Sequence, residues 1–145
     1  MTVTLTDEAR RIIALIEEES GATVRDCVVD EEFDRLLVLV KAGEMAEAIG
    51  PGGRTVQRVE GQLDREIKLV EDAPTAEDFV ASALAPAAVY NVTISEGDGD
   101  DAVTVAYAEV ADEDRGIAIG KDGRNIAAAR TLAARHFDVD DVELT

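Results

Sequence analysis

Aromatic residues, cysteine, lysine and long apolar segments are all scarce in this chain of 145 residues. Cys27 is the single cysteine, so no internal disulfide can form, which is consistent with a reducing compartment. Because it lies in an apolar run, we expect it to be a small buried hydrophobe. No segment approaches the roughly 20 apolar residues that span a bilayer, and the first residues lack the basic-then-apolar pattern expected of a signal peptide. We therefore expect a cytoplasmic protein with no membrane partner.

The residue patterns that carry catalysis or bind metals are also missing. His136 is the only histidine, and no cysteine or second histidine accompanies it as a metal ligand. We expect it to end a helix that packs on the core. Residues 116–122 resemble a phosphate-binding loop, but they have one spacer too few and no hydroxyl for magnesium. The acidic residues 98–101 lack the oxygen spacing of a calcium loop and predict a hairpin turn. We expect no enzymatic activity, no metal site and no cofactor.

The charge is strongly one-sided, since 32 acidic and 14 basic residues give a net charge of −18. Such a charge ordinarily repels nucleic acids, so one interpretation is a partner of another kind. However, only Lys41, Lys68 and Lys121 are lysines. An acidic surface that is poor in lysine is typical of salt-accumulating halophiles, in which concentrated salt screens the self-repulsion. We favour a halophilic surface with an exceptional binding face, because basic residues recur around a repeated motif.

That motif is a heptapeptide that occurs twice. Residues 48–54 read Ala-Ile-Gly-Pro-Gly-Gly-Arg, and residues 118–124 read Ala-Ile-Gly-Lys-Asp-Gly-Arg, so five of the seven positions are identical at an offset of 70 residues. The flanking apolar patterns repeat at almost the same spacing. The chain is therefore expected to contain one structural unit written twice.

Each copy predicts the element order α-β-β-α-α-β. In the first copy Thr6 is the expected N-cap of a helix that ends at Gly21, and Thr75 with Asp78 forms a capping-box pattern in the second. Pro86 is expected to stop that second helix. The remaining segments follow from strand and helix patterns. Strands are predicted at 24–29, 36–41, 66–70, 88–94, 103–110 and 139–144, and further helices at 44–49, from 54, up to 119, and at 124–136.

The fold class expected from this order is α+β, with a three-stranded sheet covered on one face by helices in each lobe. The first domain should span residues 1–72 and the second residues 73–145. Only a few residues, 71–75, join them. Because a short linker restricts relative motion, we expect the two domains to pack as one rigid body.

The repeated Gly-x-x-Gly loop has a clear physical use. Its glycines allow a sharp turn and the close approach of a sugar-phosphate backbone. The helix that follows should direct its free N–H groups and positive dipole end at a phosphate. Arg54 and Arg124 come directly after the last glycine and can add charge-assisted hydrogen bonds. Ile49 and Ile119 are expected to anchor the turn in the core, and Val56 and Ile126 to do so on its other side.

With Ile-Gly-x-x-Gly between its second and third helices, each copy resembles a type II KH domain. Two fused copies over nearly the whole chain are similar to the short archaeal NusA-like transcription factors. This resemblance implies binding of single-stranded RNA, the nascent transcript, in transcription elongation and termination. RNA polymerase is the implied further partner, and we expect the chain to be a monomer.

The resemblance also implies which residues bind RNA. The loops would clamp the backbone while a neighbouring groove accepts bases; this groove should be aliphatic, because aromatic residues make up only 3% of the chain. Arg58 should share a helix face with Arg54. Pro51 removes a donor from the first loop and Asp122 adds an acid to the second, and we expect the second loop to be the stronger clamp. The candidate RNA-binding residues are Gly50, Gly52, Gly53, Arg54 and Arg58, followed by Gly120, Lys121, Gly123, Arg124 and Arg130.

Two other functions remain open from the residues alone. One is a KH protein-interaction module that docks on RNA polymerase through its acidic surface. The other is a KH RNA-binding factor in ribosome assembly or RNA decay. Substitutions in the Gly-x-x-Gly loops that alter RNA affinity would separate RNA binding from the first of these.

Overall fold

The structure, a computed structural model, describes residues 3–100 and 102–145. The chain divides into two compact units, one comprising Thr4–Asp72 and the other containing Ala73–Thr145. In each unit the order of helices and strands is α-β-β-α-α-β. Within the residues described, there is no helix long and apolar enough to cross a membrane.

The first unit is a three-stranded sheet with three helices. Its central strand pairs antiparallel with the first strand and parallel with the third, so that the third strand is an edge. The elements are α1 (Asp7–Ser20), β1 (Val24–Asp30), β2 (Arg35–Val40), α2 (Met45–Ile49), α3 (Arg54–Leu63) and β3 (Glu66–Glu71).

Helix α1 forms for the reasons that its sequence indicates. The Thr6 side chain accepts a hydrogen bond from the backbone N–H of Ala9 at 3.0 Å, and Gly21 ends the helix in the left-handed conformation. Its apolar stripe is buried in the core of the unit together with Cys27, as predicted for that residue. The stripe consists of Ala9, Ile12, Ile13 and Ile16.

The central strand of the first sheet is buried along its whole length. Every residue of β2 is buried, including Leu37 and Leu39 on the face opposite Leu36, Val38 and Val40. Both faces of this strand are therefore shielded from solvent. Its sequence is typical of such a strand, because leucines occupy the alternate positions where a solvated face would carry polar residues.

The second unit repeats this topology, with its central strand antiparallel to the first and parallel to the third. Here the burial of the central strand alternates, and Tyr107 and Glu109 are exposed, so one face is open as predicted. The Thr75 side chain accepts from the Asp78 N–H at 3.1 Å, and the helix that it caps ends before Pro86. The elements are α4 (Ala76–Ala83), β4 (Val89–Glu96), β5 (Thr104–Val110), α5 (Arg115–Ile119), α6 (Arg124–Phe137) and β6 (Asp141–Leu144).

His136 lies in the last turn of α6, as predicted, and its ring centroid is 6.2 Å from that of the fully buried Phe79. The acidic residues 98–100 belong to the connection between β4 and β5, which pair antiparallel, and Asp101 lies outside the described residues.

In both units an acidic side chain accepts a hydrogen bond from the backbone N–H of the residue that precedes the first strand. In the first unit Glu44 Oε1 accepts from the Thr23 N–H at 2.6 Å, and in the second Asp114 Oδ2 accepts from the Ala88 N–H at 2.8 Å. Glu44 and Asp114 each precede the short helix that leads into a Gly-x-x-Gly loop. These bonds tie the approach to each loop to the sheet.

Candidate nucleic-acid interface

The two Gly-x-x-Gly loops have nearly the same backbone conformation. Gly50 and Gly120 adopt φ/ψ of 77°/170° and 78°/170°, which are accessible to glycine alone. Two positions further on, Gly52 and Asp122 are both left-handed, with φ of 60° and 58°. The second loop therefore holds the same shape although an aspartate replaces a glycine, since aspartate tolerates this region better than most residues.

The first glycine of each loop is also required by close packing. A Cβ on Gly50 would collide with the side chain of Thr55, and a Cβ on Gly120 would lie 2.8 Å from the backbone nitrogen of Asn125. The last glycine differs, because a Cβ on Gly123 would meet nothing within 4 Å. The first glycine thus serves the packing of the corner, while the last serves the turn of the backbone.

Asn125 holds the second corner together. It is buried, and its amide nitrogen lies within hydrogen-bonding distance of three backbone carbonyls: Leu84 at 3.1 Å, Ile117 at 3.3 Å and Ala118 at 3.2 Å. It therefore links the end of α4 and the end of α5 to the start of α6. Thr55 occupies the equivalent position in the first unit.

The start of each long helix offers fewer free donors than predicted. The N–H groups of Gly53 and Arg54 donate to the carbonyls of Gly50 and Pro51, and the second loop repeats these bonds from Gly123 and Arg124. The prediction of free N–H groups is thus wrong for the last glycine and the arginine of each loop, because a 3₁₀ turn satisfies them locally. What each loop still presents is the positive end of a helix and its basic side chains.

The basic side chains around the first loop lie on α3. Arg54 is exposed at the start of the helix and Arg58 is exposed one turn later, so they share a face as predicted. Arg58 forms an ion pair with Glu19 at 3.4 Å. In the second loop Lys121 is exposed and Arg124 is half-buried.

The isoleucines before the loops do not anchor the turns, which corrects the prediction for both. Ile49 and Ile119 are 39% and 40% exposed, whereas the preceding alanines, Ala48 and Ala118, are 2% and 0% exposed. Each short helix thus buries its alanine and leaves the following isoleucine partly exposed. On the far side of the loops, Ile126 is buried as predicted and Val56 is half-buried. The isoleucines are thus available to a ligand.

A groove of about 310 Å³ lies beside the second loop, between α6 and the edge strand β6. It brings Arg130 and Gly123 together with residues that were not predicted for the site. The lining residues are Arg115, Ile119, Gly123, Ile126, Arg130, Glu143 and Leu144. Its apolar part is aliphatic, as expected for a chain with few aromatic residues.

Arg130 and Arg115 are held by the strand that borders this groove. Arg130 donates from Nε to the carbonyl of Val142 at 3.1 Å and contacts Asp141 Oδ1 at 2.9 Å, and Arg115 donates to the carbonyl of Thr145 at 2.9 Å. The prediction treated Arg130 as a supporting phosphate contact; the structure places it in the groove, against β6.

Two carboxyl groups on β6 influence each other's protonation. A hydrogen bond with Asp141, together with the negative charge of that residue, raises the pKa of Glu143. The same hydrogen bond lowers the pKa of Asp141, which the Val142 N–H and Arg130 lower further. Of the two, Asp141 is therefore the stronger acid.

Sequence reasoning missed Asn125, Arg115 and Glu143. The role of Asn125 could have been predicted from the sequence. A polar residue directly after the motif and inside an apolar helical stripe indicates a buried side chain that forms hydrogen bonds. Arg115 and Glu143 carried no such signal, because only the pairing of β6 with β5 places them beside the loop.

No group of three or more potential metal ligands occurs among residues 3–100 and 102–145.

Comparisons with known proteins agree on one family. The family model described as "KH domain" matches residues 10–110, and the model described as "NusA-like second KH domain" matches residues 76–145. The "Probable transcription termination protein NusA" of Halobacterium salinarum is 60% identical over 145 residues, covering 100% of both chains. The protein of the same name from Halococcus morrhuae is 58% identical over 144 residues, covering 99% of both.

A solved structure is similar over most of the chain. The structure titled "Crystal structure of APE1850" has a TM-score of 0.86 and 33% sequence identity, and the match covers 97% of this chain and 100% of that one.

Proposed function

The chain belongs to the NusA family of KH-domain proteins, and we propose that it binds single-stranded RNA, without catalysis, in transcription elongation and termination. The RNA is the nascent transcript, and RNA polymerase is a further partner. In this proposal residues 1–72 and 73–145 are two tandem type II KH domains that pack as one rigid body. The protein acts as a monomer in the cytoplasm, where transcription takes place in an archaeal cell.

The observation that carries this proposal is the repetition of one loop geometry with basic residues at both sites. A loop that keeps φ/ψ near 77°/170° at its first glycine in both copies, despite different residues at its centre, preserves a shape rather than a sequence. That shape leads directly into the start of a helix, and Arg54 or Arg124 follows it. Such an arrangement suits a phosphate group.

Each candidate residue has a role in this proposal. The glycines of the motif admit the sugar-phosphate backbone, and the basic side chains neutralise it. The second loop is the stronger clamp, because Lys121 is exposed at its tip where the first loop has Pro51. The groove beside it would accept bases over Ile119, Ile126 and Leu144. The phosphate-facing set is Gly50, Gly52, Gly53, Arg54, Arg58, Gly120, Lys121, Gly123 and Arg124, with Arg130 at the groove.

The test is RNA binding by Lys121→Asp, measured by fluorescence anisotropy with single-stranded RNA in molar KCl. Arg11→Asp is the matched control, since Arg11 is exposed on α1 and its replacement changes the net charge equally. We expect Lys121→Asp to lose most of its affinity and Arg11→Asp to retain it, with circular dichroism confirming both folds.

Other outcomes would redirect the proposal. Equal affinity of Lys121→Asp and the wild type would move the site to the first loop. No RNA binding by the wild type would contradict the proposal and favour a protein-interaction module.

A further inference from the structure

One position on the edge strand carries opposite chemistry in the two units. In the second unit Glu143 pairs with Tyr107 across β5 and β6, and in the first Lys68 pairs with Leu37 across β2 and β3. Leu37 and Tyr107 are equivalent, because they lie 70 residues apart and pair with Val28 and Thr93, each the fifth residue of the first strand of its unit. Hence Glu143 and Lys68 are equivalent, and a hydrogen-bond acceptor in one unit replaces a donor in the other.

Among the side chains that line the groove of the second unit, Glu143 has a distinct role. Ile119, Ile126 and Leu144 are apolar, and the two arginines can only donate hydrogen bonds. Both guanidinium groups already donate to backbone carbonyls at the border of the groove. Glu143 thus supplies the side-chain hydrogen-bond acceptor of this lining.

Asp141, which also lies on β6, is less available than Glu143 to accept a hydrogen bond from a ligand. Asp141 Oδ1 accepts from the Val142 N–H at 2.8 Å and contacts Arg130 Nε at 2.9 Å, so that carboxylate is oriented along the strand. Glu143 is exposed and stands two residues further along β6, in the groove lining. Glu143 shares a hydrogen bond with Asp141, but it is the carboxylate of the two that lines the groove and that an incoming base would meet.

We propose that Glu143 makes the second groove selective for bases that carry an exocyclic amino group, over uracil. A carboxylate accepts hydrogen bonds from cytosine N4, adenine N6 or guanine N2. Uracil presents a carbonyl oxygen at the position of the cytosine amino group, which a carboxylate repels. This inference rests on the proposed RNA binding and adds to it the class of base that is read.

Cytosine and uracil provide the sharpest test, because they have the same size and differ only at position 4, where an amino group replaces a carbonyl oxygen, and at the neighbouring N3, which accepts in cytosine and donates in uracil. Anisotropy titrations with (C)8 and (U)8 RNA in molar KCl give the ratio of the two affinities. For the wild type we expect (C)8 to bind at least about fivefold more tightly, the lower end of the discrimination from one good side chain–base pair. Glu143→Ala should bring the ratio to about one. Glu143→Lys, which installs the residue type of the first unit, should favour (U)8.

Glu109→Ala is the matched control. Glu109 is exposed on β5, belongs to the same unit and is absent from the groove lining, so its replacement removes the same charge and should leave the ratio unchanged. The ratio is insensitive to a general loss of affinity, and Glu143 is exposed, so the variants should fold.

Three results would overturn the inference. They are equal affinity of the wild type for both oligonucleotides, a (C)8 preference that survives in Glu143→Ala, and a preference that Glu109→Ala abolishes equally. Each leaves RNA binding itself intact. Failure of the wild type to bind either RNA would instead overturn the proposed function together with the inference.

Discussion

Glu60 and Arg130 occupy equivalent helix positions in the two units and bond to opposite backbone groups of the edge strand. Glu60 Oε2 accepts from the Ile67 N–H at 2.8 Å, whereas Arg130 Nε donates to the Val142 carbonyl at 3.1 Å. Ile67 and Val142 are themselves equivalent, because each pairs with the same position of its central strand. The same link between helix and edge strand is thus made with reversed polarity, and unpaired groups of an edge are satisfied in both cases.

Replacing Arg130 with methionine should therefore destabilise the protein as well as alter the groove. Methionine keeps an apolar stem but removes the bond to Val142 and the ion pair with Asp141. Because the side chain is partly exposed, we expect the free energy of unfolding to fall by only about 1 kcal/mol. Urea unfolding in molar KCl measures this, with Arg11→Met as control. An unchanged free energy would show that the link contributes nothing to stability.

The two outer glycines of the second loop should differ in their tolerance of alanine. Both have positive φ, 78° at Gly120 and 81° at Gly123. The left-handed conformation of Gly123 costs an alanine about 1–2 kcal/mol, and the conformation of Gly120, with ψ of 170°, costs an alanine about 1–3 kcal/mol. At Gly120 the new Cβ also meets the Asn125 backbone nitrogen at 2.8 Å. We expect Gly120→Ala to cost about 2–4 kcal/mol in total and Gly123→Ala only the smaller amount. Thermal and urea unfolding of both variants would compare them, and equal losses would contradict the packing role of Gly120.

Removing the Asn125 amide should weaken the second corner. Asn125→Ala leaves the carbonyls of Leu84, Ile117 and Ala118 without this donor, and an unsatisfied buried polar group costs about 1–3 kcal/mol. Asn125→Asp keeps the shape but replaces the donor with an acceptor facing three carbonyls, and should cost more. Urea unfolding gives both values. An aspartate variant as stable as the wild type would show that these carbonyls do not need the amide.

The stabilising role of Glu44 should depend on pH. The hydrogen bond from the Thr23 N–H, with a smaller effect of Lys41, holds the pKa of Glu44 below its ordinary value of 4.5. Its carboxylate therefore stabilises the folded state above pH 4.5, and this contribution is lost as the pH falls through the lowered folded-state pKa.

Glu44→Ala should accordingly be less stable than the wild type at neutral pH, and the difference should shrink below pH 4.5. Chemical unfolding of both proteins at pH 7, 5, 4 and 3 measures it. Glu47→Ala, which removes an exposed acid from α2, is the control and should show a smaller change with pH. A difference between wild type and Glu44→Ala that persists at the lowest pH would argue against the charged form as the cause.

The element order and the loop shape were predictable from sequence because they depend on neighbouring residues. Thr6 and Thr75 cap their helices as expected, and the repeated glycines produce the same positive-φ turn in both copies. Element ends shifted by only a few residues. For example, β6 begins at Asp141 rather than at residue 139, since Asp138 takes a left-handed conformation with φ of 55° between α6 and the strand.

The groove was less predictable, because its residues come from segments far apart in sequence. Arg115 and Glu143 line the same groove only because β6 pairs with β5 in a particular register. The apolar character of Ile49 and Ile119 also led to a wrong prediction, because the orientation of the short helices, which the packing of the whole unit sets, buries the neighbouring alanines instead.

By itself the sequence determined the duplication, the order α-β-β-α-α-β and the conformation of the two loops, because glycine freedom, helix capping and hydrophobic periodicity act over a few residues. Only the tertiary structure decided that Asn125 reaches Leu84, 41 residues away, and that Glu143 and Lys68 stand at one equivalent position with opposite polarity. These relationships depend on strand register and helix packing, which are set by the whole unit at once.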